Sequence, residues 1–439
     1  YGQLTLAMTF LAVAGALADF GFTLTTTQMI SERPQDEEVV VSTAFTMRLL
    51  SGVFFFALAI LIALMMPYVA AVKAAVIVGA FSYFFMTSSQ MLVGVFQKHL
   101  AMWRPALAEA VSRGAILVVI IWLATVYVSV PAMMAAFTIG NLLLLVMNFV
   151  FTRRYTRVRF AINRAVARTF LLRSWPIACS IFFNLLYLKG DILFMSFYRS
   201  DAEIGLYGAA YKVLDVVSVI PTMFMGLLLP LMVAAWSARD SKKMHELLQQ
   251  AFDVFALMSL PLLGGALLLS EPIMRLMAGA DFAAAGPYLV ILMVANTVVF
   301  FGILFGHAIV GIGKQRAILP AYIATAVITL LLYFLTIPTY GATGAAWSTV
   351  ASEIMIALMT TGMVVRHTKF RPRLRNALIY LVATVVMTAG VWYASAQSAT
   401  IGPWLLVALV LGGAIVYCAI VVALGGIKFA TLKALVTRS

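Results

Sequence analysis

Seven ionisable side chains in this sequence stand inside stretches otherwise fit for hydrocarbon: Asp19, Arg48, Lys189, Asp191, Lys212, Asp215 and Glu353. A charge is expensive in lipid, so residues of this kind normally face a cavity, a partner or a path for ions. Lys212 and Asp215 are three residues apart, which puts them on one helical face where they can pair. The lysines have the chemistry of point charges for phosphate or acidic sugars. The carboxylates have that of groups that take up and release protons or cations. The sequence offers no Ser/His/Asp set, no Gly-rich phosphate loop after a strand and no Cys/His spacing suited to a metal. Its two cysteines, Cys179 and Cys418, and its 24 Met read as packing residues in apolar surroundings. No cofactor and no metal are expected.

The elements that position these groups are long apolar segments. Of 439 residues, 64% are hydrophobic and 10% charged, and the mean hydropathy is +1.04. A hydrocarbon core roughly 30 Å thick calls for about 20 apolar residues per spanning helix. Thirteen such spans are expected near 3–29, 43–66, 73–96, 114–130, 132–152, 174–198, 205–235, 251–269, 286–310, 318–337, 343–365, 376–395 and 403–425. Backbone polar groups must be satisfied within lipid, so the spans are helices and the fold class is an all-α polytopic membrane protein.

Depth sorts the seven charges and His307. Lys189, Asp191, Lys212, Asp215 and Glu353 share a layer about 10–15 Å below the outer surface, counted by helical rise. Asp19, Arg48 and His307 lie deeper, toward the cytoplasm, while Asp253 and His99 fall near the inner interface and are expected to be solvated. One reading of the layer is a structural ion pair locking spans six and seven. The other is the lining of a charged cavity, favoured because five charges exceed what one pair needs.

Basic residues set the orientation. With alternating spans, 25 of the 30 Lys and Arg fall on one face, in the 153–173 and 366–375 connections, in shorter loops, and at Lys428, Lys433 and Arg438. Basic loops are retained in the cytoplasm, so that face and the C-terminus are cytoplasmic. The net charge of +14 therefore points to anionic membrane lipids rather than to nucleic acid. Thirteen spans would leave Tyr1 outside, so the expectation is a chain missing one N-terminal helix, with fourteen spans in all.

An internal repeat agrees with that count. Tyr1-Gly2 and Tyr207-Gly208 open spans at an offset of 206, and the polar loop Ser31–Glu38 meets Ser237–Glu246 at nearly the same offset. His99 and His307 follow, then Pro131 and Pro338. The offset is even in spans, which makes the repeats parallel. The expected organisation is an N-terminal lobe at 1–152 (lacking its first helix), a C-terminal lobe at 174–365 and a two-helix extension at 376–425. Pro221, Gly226, Pro230, Pro261, Gly264 and Gly265 are expected to bend spans seven and eight. The longest outer connection is read as Ser270–Gly286.

At three places the residues resemble a family. The run Tyr1-Gly2-Gln3-Leu4 leading to Leu17-Ala18-Asp19-Phe20-Gly21-Phe22 is similar to the second helix of Wzx-type polysaccharide flippases, in the multidrug/oligosaccharidyl-lipid/polysaccharide (MOP) superfamily. Asp191-Ile192-Leu193 with Ile204-Gly205-Leu206-Tyr207-Gly208-Ala209-Ala210-Tyr211-Lys212 resembles that family's seventh-to-eighth helix hairpin. Ile337-Pro338-Thr339-Tyr340-Gly341-Ala342-Thr343-Gly344-Ala345-Ala346, followed by Glu353, resembles its entry into the twelfth helix. The resemblance implies two lobes in a V, moving an undecaprenyl-diphosphate-linked oligosaccharide outward across a bacterial inner membrane by ion-coupled alternating access. Lys189, Lys212 and Arg48 would then face the substrate, and Asp19, Asp191, Asp215 and Glu353 would carry the coupling ion. Polysaccharide polymerase or export proteins are its implied partners. Two relatives in the superfamily compete, a lipid II flippase and a drug/cation antiporter. A membrane glycosyl polymerase would need a substantial outer domain, for which the outer connections are too short.

Overall fold

With so little polar surface the chain satisfies its backbone by coiling, and helices are its only extended regular elements among the described residues. The computed structural model describes residues 1–32, 36–99, 101–126, 129–314, 316–397 and 401–426. Arg33, Lys428, Lys433 and Arg438, counted above toward the basic face, lie outside them. Two compact units divide the chain, 1–205 and 206–439.

The first unit runs through α1 (Gly2–Asp19), α2 (Phe22–Glu32), α3 (Glu37–Met65), α4 (Ala70–Lys98), α5 (Trp103–Val126), α6 (Val130–Thr152) and α7 (Arg164–Tyr198). Its core gathers Phe22, Val40, Phe45, Met91, Leu92, Val95 and Phe170. Buried polar bonds add direction to this packing. Asn141 and Asn148 of α6 each donate a 2.8 Å hydrogen bond to α4, at Ser82 and Ser89. Asn163 starts α7 by accepting from the amides of Ala165 and Val166, the cap its side chain is suited to make.

The second unit holds α8 (Asp201–Ser237, which begins just before the division), α9 (Ser241–Ala278), a 3-10 turn (Ala280–Ala285), α10 (Gly286–Gly311), α11 (Leu319–Thr368), α12 (Arg375–Ala396) and α13 (Pro403–Ala423). Met225, Met232, Leu248, Phe255, Phe300 and Leu304 lie at its centre. The last two helices pack on α9 through Tyr380, Met387 and Tyr417 with Ala256, and the Tyr417 hydroxyl donates to the Leu257 carbonyl at 2.8 Å.

Eleven helices, among the described residues, are long and apolar enough to cross a membrane. Their outward faces carry large apolar side chains, with Leu227 76% and Trp404 87% exposed, a surface that calls for lipid. One of the eleven is two spans. At 50 residues α11 would be about 75 Å long if straight, far more than a bilayer accommodates. Gly341 leaves helical geometry at φ 57° and ψ −134°, a backbone open in practice to glycine alone. The chain folds back there. The hydroxyls of Thr336 and Ser348 lie 2.9 Å apart, although twelve residues of straight helix would separate them by roughly 18 Å. Gly344 allows the close return, because a Cβ on it would meet the Thr336 carbonyl oxygen at 2.6 Å.

Several expectations are corrected. The span near 3–29 is two helices, broken at Phe20 and Gly21. Helix α9 runs as one element with Pro261 and Pro272 inside it. The 270–286 connection is not an open loop: α9 reaches Ala278 and a 3-10 turn fills most of the rest. The element order of the first unit, one span followed by α3 to α6, recurs in the second as α8 followed by α9, α10 and the two halves of α11.

Candidate functional site

In the first unit the site begins at the break between α1 and α2. Phe20 (φ 45°, ψ 27°) and Gly21 (φ 73°) are both left-handed, an uncommon conformation for a bulky residue. Neighbouring side chains hold it. Ser51 of α3 donates to the Ala18 carbonyl at 2.7 Å, and Arg48 Nη1 donates to Ser51 Oγ at 3.4 Å. Across the break, Thr23 Oγ1 donates to Asp19 Oδ1 at 2.7 Å.

Arg48 has no accessible surface. Its Nε and Nη2 make no hydrogen bond among the described residues, and Asp19 acts on it through charge without forming an ion pair. A guanidinium so placed is costly unless its surroundings are fixed around it. It reaches the turn through Ser51. In front of the turn, α1, α4 and the start of α2 leave a cleft of about 480 Å³ lined by Asp19, Thr23, Tyr83, Thr87 and Gln90 among apolar neighbours.

Also in the first unit, α7 carries Lys189, half-buried, and Asp191, fully buried. Asp191 Oδ1 accepts the Ile192 amide at 2.7 Å. One turn before Lys189, Asn184 donates to the Tyr187 hydroxyl at 2.7 Å.

The second unit holds the other three members of the expected layer. Lys212 Nζ lies 4.0 Å from Asp215 Oδ2, with the side chains 58% and 38% exposed. Glu353 differs from both, being 4% exposed and making no hydrogen bond or ion pair among the described residues. Its Oε2 faces the backbone of α10 at Gly302, 3.9 Å from where a Cβ would stand, and Tyr322 lies within its electrostatic reach. The structure therefore brings Lys212 and Asp215 together and leaves Glu353 apart from them. His307 donates from Nδ1 to the Ile303 carbonyl at 2.8 Å, a bond internal to its own helix.

His99 is exposed and Asp253 half-buried, and each also ties helices together. Asp253 accepts from Gln249 at 2.9 Å and from Asn376 at 2.8 Å, tying α9 to α12. His99 bonds Glu37 at 3.1 Å and stacks on Tyr155 with ring centroids 4.7 Å apart, while Lys98 pairs with the same carboxylate. Arg104 covers Tyr155 at 5.1 Å from its centroid. Both are helix clasps, formed by a carboxylate that finds donors before water.

Thr23, Tyr83, Thr87 and Gln90 were missed by a search confined to charges. Their spacing held a signal: Asp19 and Thr23 are four apart, and Tyr83, Thr87 and Gln90 follow the i, i+4, i+7 pattern of one helical face.

Comparisons with known proteins agree with this architecture. A family model described as polysaccharide biosynthesis protein matches residues 1–287. The chain is similar to the probable low-salt glycan biosynthesis flippase Agl15 of Haloferax volcanii, 22% identical over 163 residues, which are 37% of this chain and 34% of that protein. It thus spans about a third of the length of the curated relative it matches. Among solved structures, the lipid II flippase MurJ in an inward closed conformation aligns with 95% of this chain and 91% of its own at TM-score 0.79 and 14% identity. An inward-facing multidrug resistance MATE family transporter of the MOP superfamily aligns with 84% and 91% at TM-score 0.66 and 14% identity. At these identities the structures share the fold. By the family match, the chain belongs to the polysaccharide biosynthesis protein family, and it shares the fold of the MurJ and MATE structures.

Proposed function

We propose that this protein is a flippase that carries an undecaprenyl-diphosphate-linked oligosaccharide across the bacterial cytoplasmic membrane, with its basic face and C-terminus in the cytoplasm. One observation carries the reading: a member of the polysaccharide biosynthesis family holds ionisable side chains within apolar helices, and they are neither all buried nor all paired. Lys212 is more than half exposed and Lys189 half-buried, which suits diphosphate or an acidic group approaching from a cavity. The polyprenyl tail needs no such shelter, since lipid already solvates it.

Asp191, Asp215 and Glu353 are the candidates for coupling to an ion gradient. Glu353 leads them, because a carboxylate with no bound donor is the one whose charge state most changes its fit. Arg48, without exposed surface, serves as a positioning residue for the Ala18–Asp19 turn. Partners in polymerisation or export would meet the product at the outer surface.

A lipid II flippase is the second reading, favoured by the fit of the MurJ fold to 95% of this chain. The MATE fold covers 84%, and a drug antiporter is the third.

Proteoliposomes test all three. Purified protein should expose undecaprenyl-diphosphate-oligosaccharide to an external glycosidase faster than protein-free vesicles do. Equal rates, together with movement of lipid II or of a cationic dye, would replace the proposal with its competitor.

A further inference from the structure

The cleft in front of the α1–α2 break has a lining whose chemistry differs from that of the lysines. Thr23 holds one oxygen of Asp19 at 2.7 Å. Oδ2 has no hydrogen bond or ion pair among the described residues. The same cleft is lined by Thr87, Gln90 and Tyr83, the Thr87 hydroxyl donating to the Tyr83 carbonyl of its own helix at 2.7 Å. Gln90 is exposed, although it lies on a helix long and apolar enough to span the membrane. A polar face of this kind is poorly served by lipid chains. At about 480 Å³ the cleft falls within the roughly 300–1,000 Å³ usual for small-molecule sites.

From this arrangement we infer that the cleft is a subsite for one sugar ring of the transported head group, and that it accepts a neutral or amino sugar and rejects a uronic acid. The inference rests on the flippase reading above and adds a specificity to it. A carboxylate with an open acceptor and an amide with both donor and acceptor match the vicinal hydroxyls of a pyranose. The ring of Tyr83 offers an apolar wall for the sugar's C–H face. Among the described residues Asp19 carries the one charge in the lining; Arg48, whose charge acts on Asp19, has no surface to offer a ligand. A sugar carboxylate there would stand against Asp19, and like charges brought together discriminate strongly between ligands. The diphosphate is excluded for the same reason and is left to the lysines elsewhere.

Arg48 is the positioning residue of the subsite. Through Ser51 it fixes the Ala18 carbonyl, and so the direction in which Asp19 leaves the left-handed turn. Eight residues separate Gln90 from the end of α4 at Lys98, about 12 Å of rise. That depth lies in the half of the helix nearest its basic end, where a head group loaded from the cytoplasmic leaflet arrives first.

The test uses proteoliposomes of the full chain and three undecaprenyl-diphosphate substrates, headed by N-acetylglucosamine, glucosamine or glucuronic acid. The wild type should move the first two at least about tenfold faster than the third, equivalent to about 1.4 kcal/mol. Asp19→Asn should raise the ratio of uronate to neutral transport about tenfold, most of the discrimination. Gln90→Glu, at an exposed position, should lower that ratio further, slowing the uronate substrate more than the neutral one. If Asp19→Asn fails to fold, Gln90→Glu alone decides. Unchanged ratios in a folded variant, or no preference in the wild type, would overturn the subsite and leave the flippase reading intact. A wild type that moves none of the three would overturn both.

Discussion

Asn148 on α6 donates to Ser89 on α4 at 2.8 Å in a fully buried setting, and Asn141 does the same to Ser82 seven residues earlier. The repeated bond sets the register of the two helices, together with Thr138 Oγ1, which donates to the Val78 carbonyl at 3.1 Å. In membrane helices such a bond contributes about 0.6 kcal/mol on average and up to about 1.7. Ser89→Ala should therefore lower the unfolding temperature in nanodiscs by a few degrees. The double change Ser89→Ala with Asn148→Leu should recover part of that loss, because it removes the orphaned amide as well. A double mutant less stable than the single one would show that the asparagine has another role.

Gly341 and Gly344 make the reversal within α11. Gly341→Val forces a β-branched residue to φ 57°, and strain of this kind costs about 1–3 kcal/mol. Gly344→Val places its Cβ against the Thr336 carbonyl and should be at least as damaging. Both variants are expected to accumulate poorly and to melt early by fluorescence-detected size exclusion. Normal melting of Gly344→Val would mean that the turn has room the structure does not show.

Lys212 and Asp215 form an exposed pair at 4.0 Å, and exposed pairs contribute about 0–1 kcal/mol. Lys212→Ala should leave expression and melting unchanged while reducing transport of the diphosphate-linked substrate at least about tenfold. Retained transport in the double change Lys212→Ala with Asp215→Ala would remove both from the mechanism.

Glu353→Gln is expected to abolish stimulation of transport by an imposed pH gradient while permitting slow exchange of substrate down its own gradient. Glutamine keeps the side chain's size and its place beside Gly302 without a titratable group. Proteoliposome rates measured with and without the gradient decide it. Undiminished stimulation would move the coupling role to Asp191 or Asp215.

Topology is open to labelling. With Cys179 and Cys418 replaced by serine, a cysteine at exposed Ala280 should react with an impermeant maleimide on intact cells. One at exposed Arg154 should react only after lysis. The opposite pattern would invert the orientation drawn from the basic loops.

Hydropathy was enough to find almost every span, because a helix in lipid advertises itself along its whole length. What it passed over were departures of one or two residues. Phe20 and Gly21 split a span whose composition never changes, and nothing about a phenylalanine announces a left-handed backbone. Gly341 compresses the connection between two spans to a single non-helical residue, shorter than the polar gap that usually marks a turn. At the site, charge was legible and shelter was not. Arg48, Lys212 and Glu353 read alike as ionisable residues in apolar stretches. Only the packing of α1, α3 and α10 separates a buried guanidinium from an exposed ammonium and an unaccompanied carboxylate. The clasps made by Asp253 and His99 stayed hidden for the same reason, since their partners Asn376 and Glu37 are distant in sequence.

The reversal at Gly341 also bears on how this molecule can move. Two spans joined by one residue, and clipped together by Thr336 and Ser348, have no slack between them. They must travel as a stiff couple, so any rearrangement that opens a path for a sugar has to take up its strain elsewhere. The α1–α2 break is built the other way, from two pieces bridged across the turn by the Thr23–Asp19 hydrogen bond and steadied by Ser51. A mechanical load applied across the protein would find its compliance there first.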